Sequence, residues 1–253
     1  MSPMNNFEID GIFNLRDVGG LPTSDGGRIQ SARLFRSGSP DRITDDGARR
    51  LHAELGLRTV IDLRHPDELS DSPTRGPLIA DHITRHHISP VSTEQGMAEY
   101  VDSMNIAYGR TMSPERYFVG FRRGAARYAE AARLLSESTT YPVLIHCTAG
   151  KDRTGILTGL LLAVAGVAVD DIAAEYAASN ASIDSLIAYL RESGRDLPEP
   201  DEELRARMEV KAEMIHGFLA LVGDEFGDAR GFFTAQGLSE AELDAVRSGL
   251  VDV

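Results

Sequence analysis

With 253 residues, 42% of them hydrophobic and 26% charged, the chain has the composition of a globular protein able to bury a sizeable core. Its net charge of −13 at pH 7 argues against nucleic acid and against adsorption to an anionic membrane surface. No apolar run reaches the ~18–20 residues of a membrane span, the longest being Ile156 to Val169.

A single cysteine excludes an internal disulfide framework and fits a reducing compartment. Met1 to Glu8 offer neither a basic start nor an apolar stretch, so no cleaved signal is visible and a cytoplasmic location is expected. Without internal repeats or low-complexity linkers, one domain over 1–253 is the simplest division.

In chain order, Ile12–Val18 and Ala32–Ser37 are strand-like, joined through a Gly/Ser/Asp turn at Thr23–Gly27. Thr44 is placed to cap a helix from Asp45 to Leu55, with Asp45 and Asp46 in its first turn and Gly56 ending it. Arg58–Leu63 is a short apolar strand and His82–Ile88 a weaker one. Residues 94–112 lack periodicity and are expected to form a lid. Ser113-Pro114-Glu115 opens a helix expected to run to about Ser136. Pro142–His146 is a buried-type strand, and the chain is helical from Arg153. A helical tail from about residue 180 is interrupted by the turn Asp196–Asp201 and closed by Ser239–Leu250, where Ser239 and Glu242 form a capping box. Strands alternating with helices predict an α/β fold, a central mostly parallel sheet flanked by helices.

The chemistry concentrates in Val143-Leu-Ile-His-Cys147-Thr-Ala-Gly-Lys-Asp-Arg153-Thr-Gly155. Cysteine and arginine six residues apart are a weak signal in a chain with 24 arginines. Their setting is stronger, because an apolar strand delivers the cysteine and an apolar helix begins at the arginine. The loop Thr148, Ala149, Gly150, Lys151, Asp152, Arg153 can curl its N–H groups around an anion, with a helix N-terminus behind. The same dipoles stabilise a thiolate at Cys147, and the Arg153 guanidinium can fork two phosphate oxygens. Lys151, one of only two lysines, adds a second positive charge there. Such a site suits attack on phosphorus and needs neither cofactor nor metal.

The segment resembles the signature loop of the protein tyrosine phosphatase superfamily, His-Cys-x5-Arg-Thr/Ser, and is most similar to the bacterial PtpB-type tyrosine phosphatases. Asn14-Leu-Arg-Asp-Val-Gly-Gly20, Leu34–Ser37 and Thr59–Arg64 also match that family's pattern. The resemblance implies the single-domain cysteine-phosphatase fold, with Cys147 as the nucleophile of a phosphocysteine intermediate and Arg153 as phosphate clamp. It further implies that Thr154 hydrogen-bonds the cysteine sulfur and that His146 supports the thiolate from behind.

The expected general acid is Asp152, at a position where the resembled family carries an aspartate. No aspartate occurs between Ser103 and His146, and Asp102 is the alternative. Implied substrates are a phosphorylated protein or a small phosphomonoester. A rhodanese- or arsenate-reductase-like cysteine enzyme and a non-catalytic phosphate-binding module are the competing readings. Thr154-Gly155 and Asn14–Gly20 favour the phosphatase. Outside the loop, His82, His86 and His87 lack a completing ligand, Arg122–Arg127 reads as helix surface, Arg16 and Asp17 are expected to pair and brace the loop, and Asn180 is within possible reach of the site.

Overall fold

The computed structural model describes residues 7–70, 83–91 and 113–252. The predicted α/β architecture is present. A five-stranded sheet has β1 (Arg16–Asp17), β3 (Leu34–Ser37), β6 (Val143–His146), β4 (Thr59–Asp62) and β5 (Thr84–His87) side by side in that order. All neighbours run parallel except β1, which pairs antiparallel with β3. A small ribbon joins β2 (Arg28–Ile29) to the last strand, β7 (Val251–Asp252).

The central strands are buried on both faces, as a sheet covered by helices on each side requires. Alternate residues point to opposite faces. Leu34, Ile61, Val143 and Ile145 face the larger core, built on α5 (Asp152–Val164) and α9 (Ala212–Phe226). Phe35, Val60 and Leu144 face a smaller core under α1 (Asp45–Leu55).

Local signals account for several boundaries. Thr44 Oγ1 accepts the Gly47 N–H at 3.0 Å, and Gly56 ends α1 in the left-handed conformation. Ser239 and Glu242 form the expected capping box on α11 (Glu240–Leu250). The helix expected from 113 to 136 is instead two, α3 (Pro114–Arg123) and α4 (Ala125–Leu134). They part at Gly124, where a β-carbon would lie 2.2 Å from the Pro90 carbonyl oxygen. Ile12–Val18 shrinks to the two residues of β1, because Asn14 takes a positive φ of 56° that no continuous strand permits. The five-residue helix α2 (Pro66–Ser70) was not anticipated. The expected lid at 94–112 lies outside the described residues, as do Asp102 and His82.

The tail adds α6 (Val169–Ala177), α7 (Ile183–Glu192), α8 (Asp201–Met208) and α10 (Ala229–Ala235). No helix among the described residues is long and apolar enough to cross a membrane.

Candidate active site

The loop after β6 lies at the C-terminal end of the sheet, between the ends of β3 and β4. Ligands bind at that edge in open α/β sheets. Cys147 follows the last residue of β6 and is 1% exposed. From there the loop turns through Gly150 into α5. Gly150 has φ +68°, and a β-carbon on it would lie 2.2 Å from the Ser37 carbonyl oxygen. Glycine is therefore required at the point of closest approach.

The loop's carbonyls are held from outside. Asn14 Nδ2 donates to Ala149 O and Gly150 O, both at 3.1 Å. Arg36 Nη2 donates to Gly150 O at 2.7 Å and Lys151 O at 3.5 Å, while Ser39 N donates to Thr148 O at 2.9 Å. In a planar trans peptide the N–H points opposite to the preceding C=O. Drawing the oxygens of Thr148 to Lys151 outward therefore turns the N–H groups of Ala149 to Asp152 the other way. Those of Ala149, Gly150 and Lys151 donate to nothing among the described residues. They form a row of donors beside the cysteine, at the N-terminus of an apolar helix.

Two buried arginines hold that scaffold. Arg16 Nε and Arg36 Nη1 bond opposite oxygens of Glu175 at 2.7 and 2.5 Å, and Arg16 also bonds Asn14 Oδ1. Burial pushes the Arg16 pKa down to about 10, against the raising effect of Glu175, and leaves it charged at neutral pH. Burial would raise the Glu175 carboxyl, but the two guanidiniums outweigh it and hold it below the usual range. The expected pairing of Arg16 with Asp17 is not made. Adjacent strand residues face opposite sides of the sheet, and Asp17 accepts the N–H groups of Gly19 and Ala32 instead. Arg16 does brace the loop, but through Asn14 and Glu175.

Arg153 has a partner that sequence reading missed. Glu68, on α2, takes Arg153 Nη1 at 2.5 Å and Nη2 at 2.8 Å, and accepts the His65 N–H and the Thr148 hydroxyl. Burial alone would raise its pKa. Arg153 and the hydrogen bonds from Thr148 and His65 prevail, bringing it to about 2. Leu63 O takes one more Arg153 donor at 3.2 Å. Of the five guanidinium N–H bonds, Nε–H and one on Nη2 remain uncommitted among the described residues. These lie on one edge of the group, the arrangement that forks two phosphate oxygens.

His146 sits behind the loop, with Nδ1 3.3 Å from Cys147 O and Nε2 3.7 Å from Asp62. Burial lowers its pKa although Asp62 pulls the other way, so the ring is neutral at pH 7. Among the described residues the buried Thr154 Oγ1 has no hydrogen-bond partner, and the implied bond to the cysteine sulfur is not made. The Asp152 side chain is 38% exposed, and its Oδ1 accepts the Tyr117 hydroxyl and lies 3.5 Å from Lys151 Nζ.

The remaining candidates fall elsewhere. Asn180 bonds the backbone of Val210 rather than the loop. Arg122 pairs with Glu225 and Arg127 with Glu130 on helix surface. His87 Nε2 is 2.8 Å from Arg64 O, and no group of three metal-binding side chains occurs among the described residues.

The chain is similar to several known proteins. A family model described as "Tyrosine phosphatase family" matches residues 7–252. A protein from Cupriavidus necator named "Putative tyrosine-protein phosphatase" is 36% identical over 185 residues. That match covers 70% of this chain and 63% of that protein. The "Triple specificity protein phosphatase PtpB" of Mycobacterium tuberculosis is 29% identical, covering 96% of this chain and 98% of that protein. A "Tyrosine-protein phosphatase" of Nostoc commune is 31% identical, covering 87% and 74%.

Proposed function

This chain belongs to the tyrosine phosphatase family, whose members are cysteine-dependent phosphatases, and on that premise we propose that it hydrolyses phosphomonoesters in two steps through a phosphocysteine on Cys147. In the first step the thiolate attacks phosphorus, the bond to the leaving oxygen breaks, and Asp152 gives that oxygen its proton. In the second, water attacks the phosphocysteine, Asp152 takes a proton from it, and the sulfur–phosphorus bond breaks. The uncommitted amides and the free edge of Arg153 bind the equatorial oxygens and stabilise their charge in both transition states. His146 supports the loop from behind as a neutral ring. Thr154, whose hydroxyl has no other partner among the described residues, donates to the sulfur as it leaves. Lys151 adds attraction for the incoming dianion.

The observation that carries this reading is the outward anchoring of the loop carbonyls around the chain's one cysteine. A buried structural cysteine would require none of it. The names of the relatives favour phosphotyrosine on protein as substrate, with a small phosphorylated metabolite as the second class. A catalytic thiol must also stay reduced, which supports a cytoplasmic location.

Asp152→Asn tests the proposal. General acid catalysis contributes about 10²–10⁴-fold. The loss on an alkyl or tyrosyl phosphate should therefore exceed that on an aryl ester of a strongly acidic phenol by at least ~10². Equal losses on both, with weakened vanadate inhibition, would make Asp152 a brace for Arg153 instead.

A further inference from the structure

Asp152 is the N-terminal residue of α5, and its contacts treat its two oxygens unequally. Both contacts fall on Oδ1, which accepts the Tyr117 hydroxyl and faces Lys151 Nζ at 3.5 Å. Among the described residues Oδ2 has no partner. Tyr117 comes from α3 and is 6% exposed, and its oxygen lies 2.7 Å from that of Tyr176 on α6, which is 1% exposed. The two rings meet edge to face with centroids 6.5 Å apart.

The direction of this chain follows from donor counting. A carboxylate accepts only, and a phenol has one proton. The proton of Tyr117 therefore lies toward Asp152, and the bond between the tyrosines must be donated by Tyr176. Burial, the nearby carboxylate of Asp152 and Tyr176 raise the Tyr117 pKa well above its usual value, so the phenol remains a donor throughout the working range. Burial likewise raises Tyr176. With Oδ1 already holding a hydrogen bond in either protonation state, the acidic proton is left to Oδ2.

We propose that Tyr117 and Tyr176 are positioning residues that anchor Oδ1 of Asp152 and so present Oδ2 as the oxygen that gives and takes the catalytic proton. The inference rests on Asp152 being the acid and base of the reaction. In the first step the Oδ2 proton moves to the leaving oxygen as its bond to phosphorus breaks. In the second a proton of the attacking water moves to Oδ2 as the sulfur leaves. The tyrosines exchange no proton. They hold the carboxyl group in one rotamer on a partly exposed site that would otherwise allow several.

The test is a double-mutant cycle on two substrates, an alkyl phosphate and an aryl ester with a strongly acidic leaving group. Tyr117→Phe keeps the ring and removes the donor. Its kcat on the alkyl ester should fall about tenfold, the weight of one hydrogen bond to a charged group. On the activated ester the fall should be less than about twofold, with KM and vanadate inhibition unchanged. In an Asp152→Asn background the same substitution should cost less than about twofold on either substrate, because nothing is left to position. Tyr176→Phe leaves the Asp152 contact in place and should lose about threefold on the alkyl ester alone, which tests the chain even if Y117F folds poorly. Equal losses for Y117F in both backgrounds, or on both substrates, would reduce the tyrosines to packing. A D152N variant with no leaving-group dependence would overturn the acid assignment, and the chain with it.

Discussion

At Arg153 two requirements compete. The proposed phosphate clamp must keep donors free for its ligand, yet a buried cation without a partner is costly. Glu68 meets both by taking the end of the fork and leaving the Nε edge. The sequence carried a signal for it, since Pro66-Asp67-Glu68 after a strand is a helix start with Pro at the first position and acids in the first turn. A five-residue helix, however, has no periodicity to read, and nothing local links residue 68 to residue 153. The Glu68 carboxyl is held to about 2, below its unfolded value near 4.5. A depressed carboxylate stabilises the fold above the unfolded pKa and loses that contribution as pH falls through the folded one. At ~1.4 kcal/mol per pH unit the loss is on the order of 3 kcal/mol between about pH 4.5 and 2. Urea unfolding at pH 5 and pH 3 should therefore show a steeper decline for wild type than for Glu68→Gln. The variant should also bind vanadate about tenfold more weakly at pH 7, the cost of a lost charged hydrogen bond. Parallel declines and unchanged vanadate binding would leave Glu68 without this role.

Among the elements, those set by local chemistry were legible and those set by distant contacts were not. Thr44 with Gly56, and Ser239 with Glu242, fix both ends of one helix and the start of another through bonds within a few residues. The break at Gly124 depends on Pro90, and the shortening of β1 on Asn14 reaching the loop after β6, 135 residues away. Glu175 shows the same distance effect, since α6 supplies the anion that holds β1 and β3 to the loop. Removing one partner from a buried ion cluster typically costs about 3–5 kcal/mol. Glu175→Ala should lose roughly that much in denaturant titration. It should also lose activity well above its unfolding midpoint, because Arg36 no longer anchors Gly150 and Lys151. Full activity in a folded Glu175→Ala protein would mean the loop keeps its shape unaided.

For the molecule as a whole, the parallel order β3-β6-β4 brings three strand ends to one edge, where the proposed phosphate chemistry lies. The α/β class and the placement of Cys147 and Arg153 were readable because one continuous stretch encodes strand, loop and helix. Sheet order was not, because strands of two to four residues carry too little pattern to rank neighbours. A net charge of −13 repels a phosphate dianion at long range, so the proposed capture falls to the short-range donors of this edge, Arg153, Lys151 and the amides. The proposed chemistry converges on one sulfur. The most direct test mixes wild-type enzyme with excess aryl phosphate, quenches in acid within the turnover time, and maps the phosphoryl group by peptide mass. Wild type should carry one phosphoryl on the peptide containing Cys147, and Cys147→Ser none, with a turnover lower by several orders of magnitude. Phosphate on another residue, or turnover by the serine variant at a tenth of the wild-type rate, would contradict it.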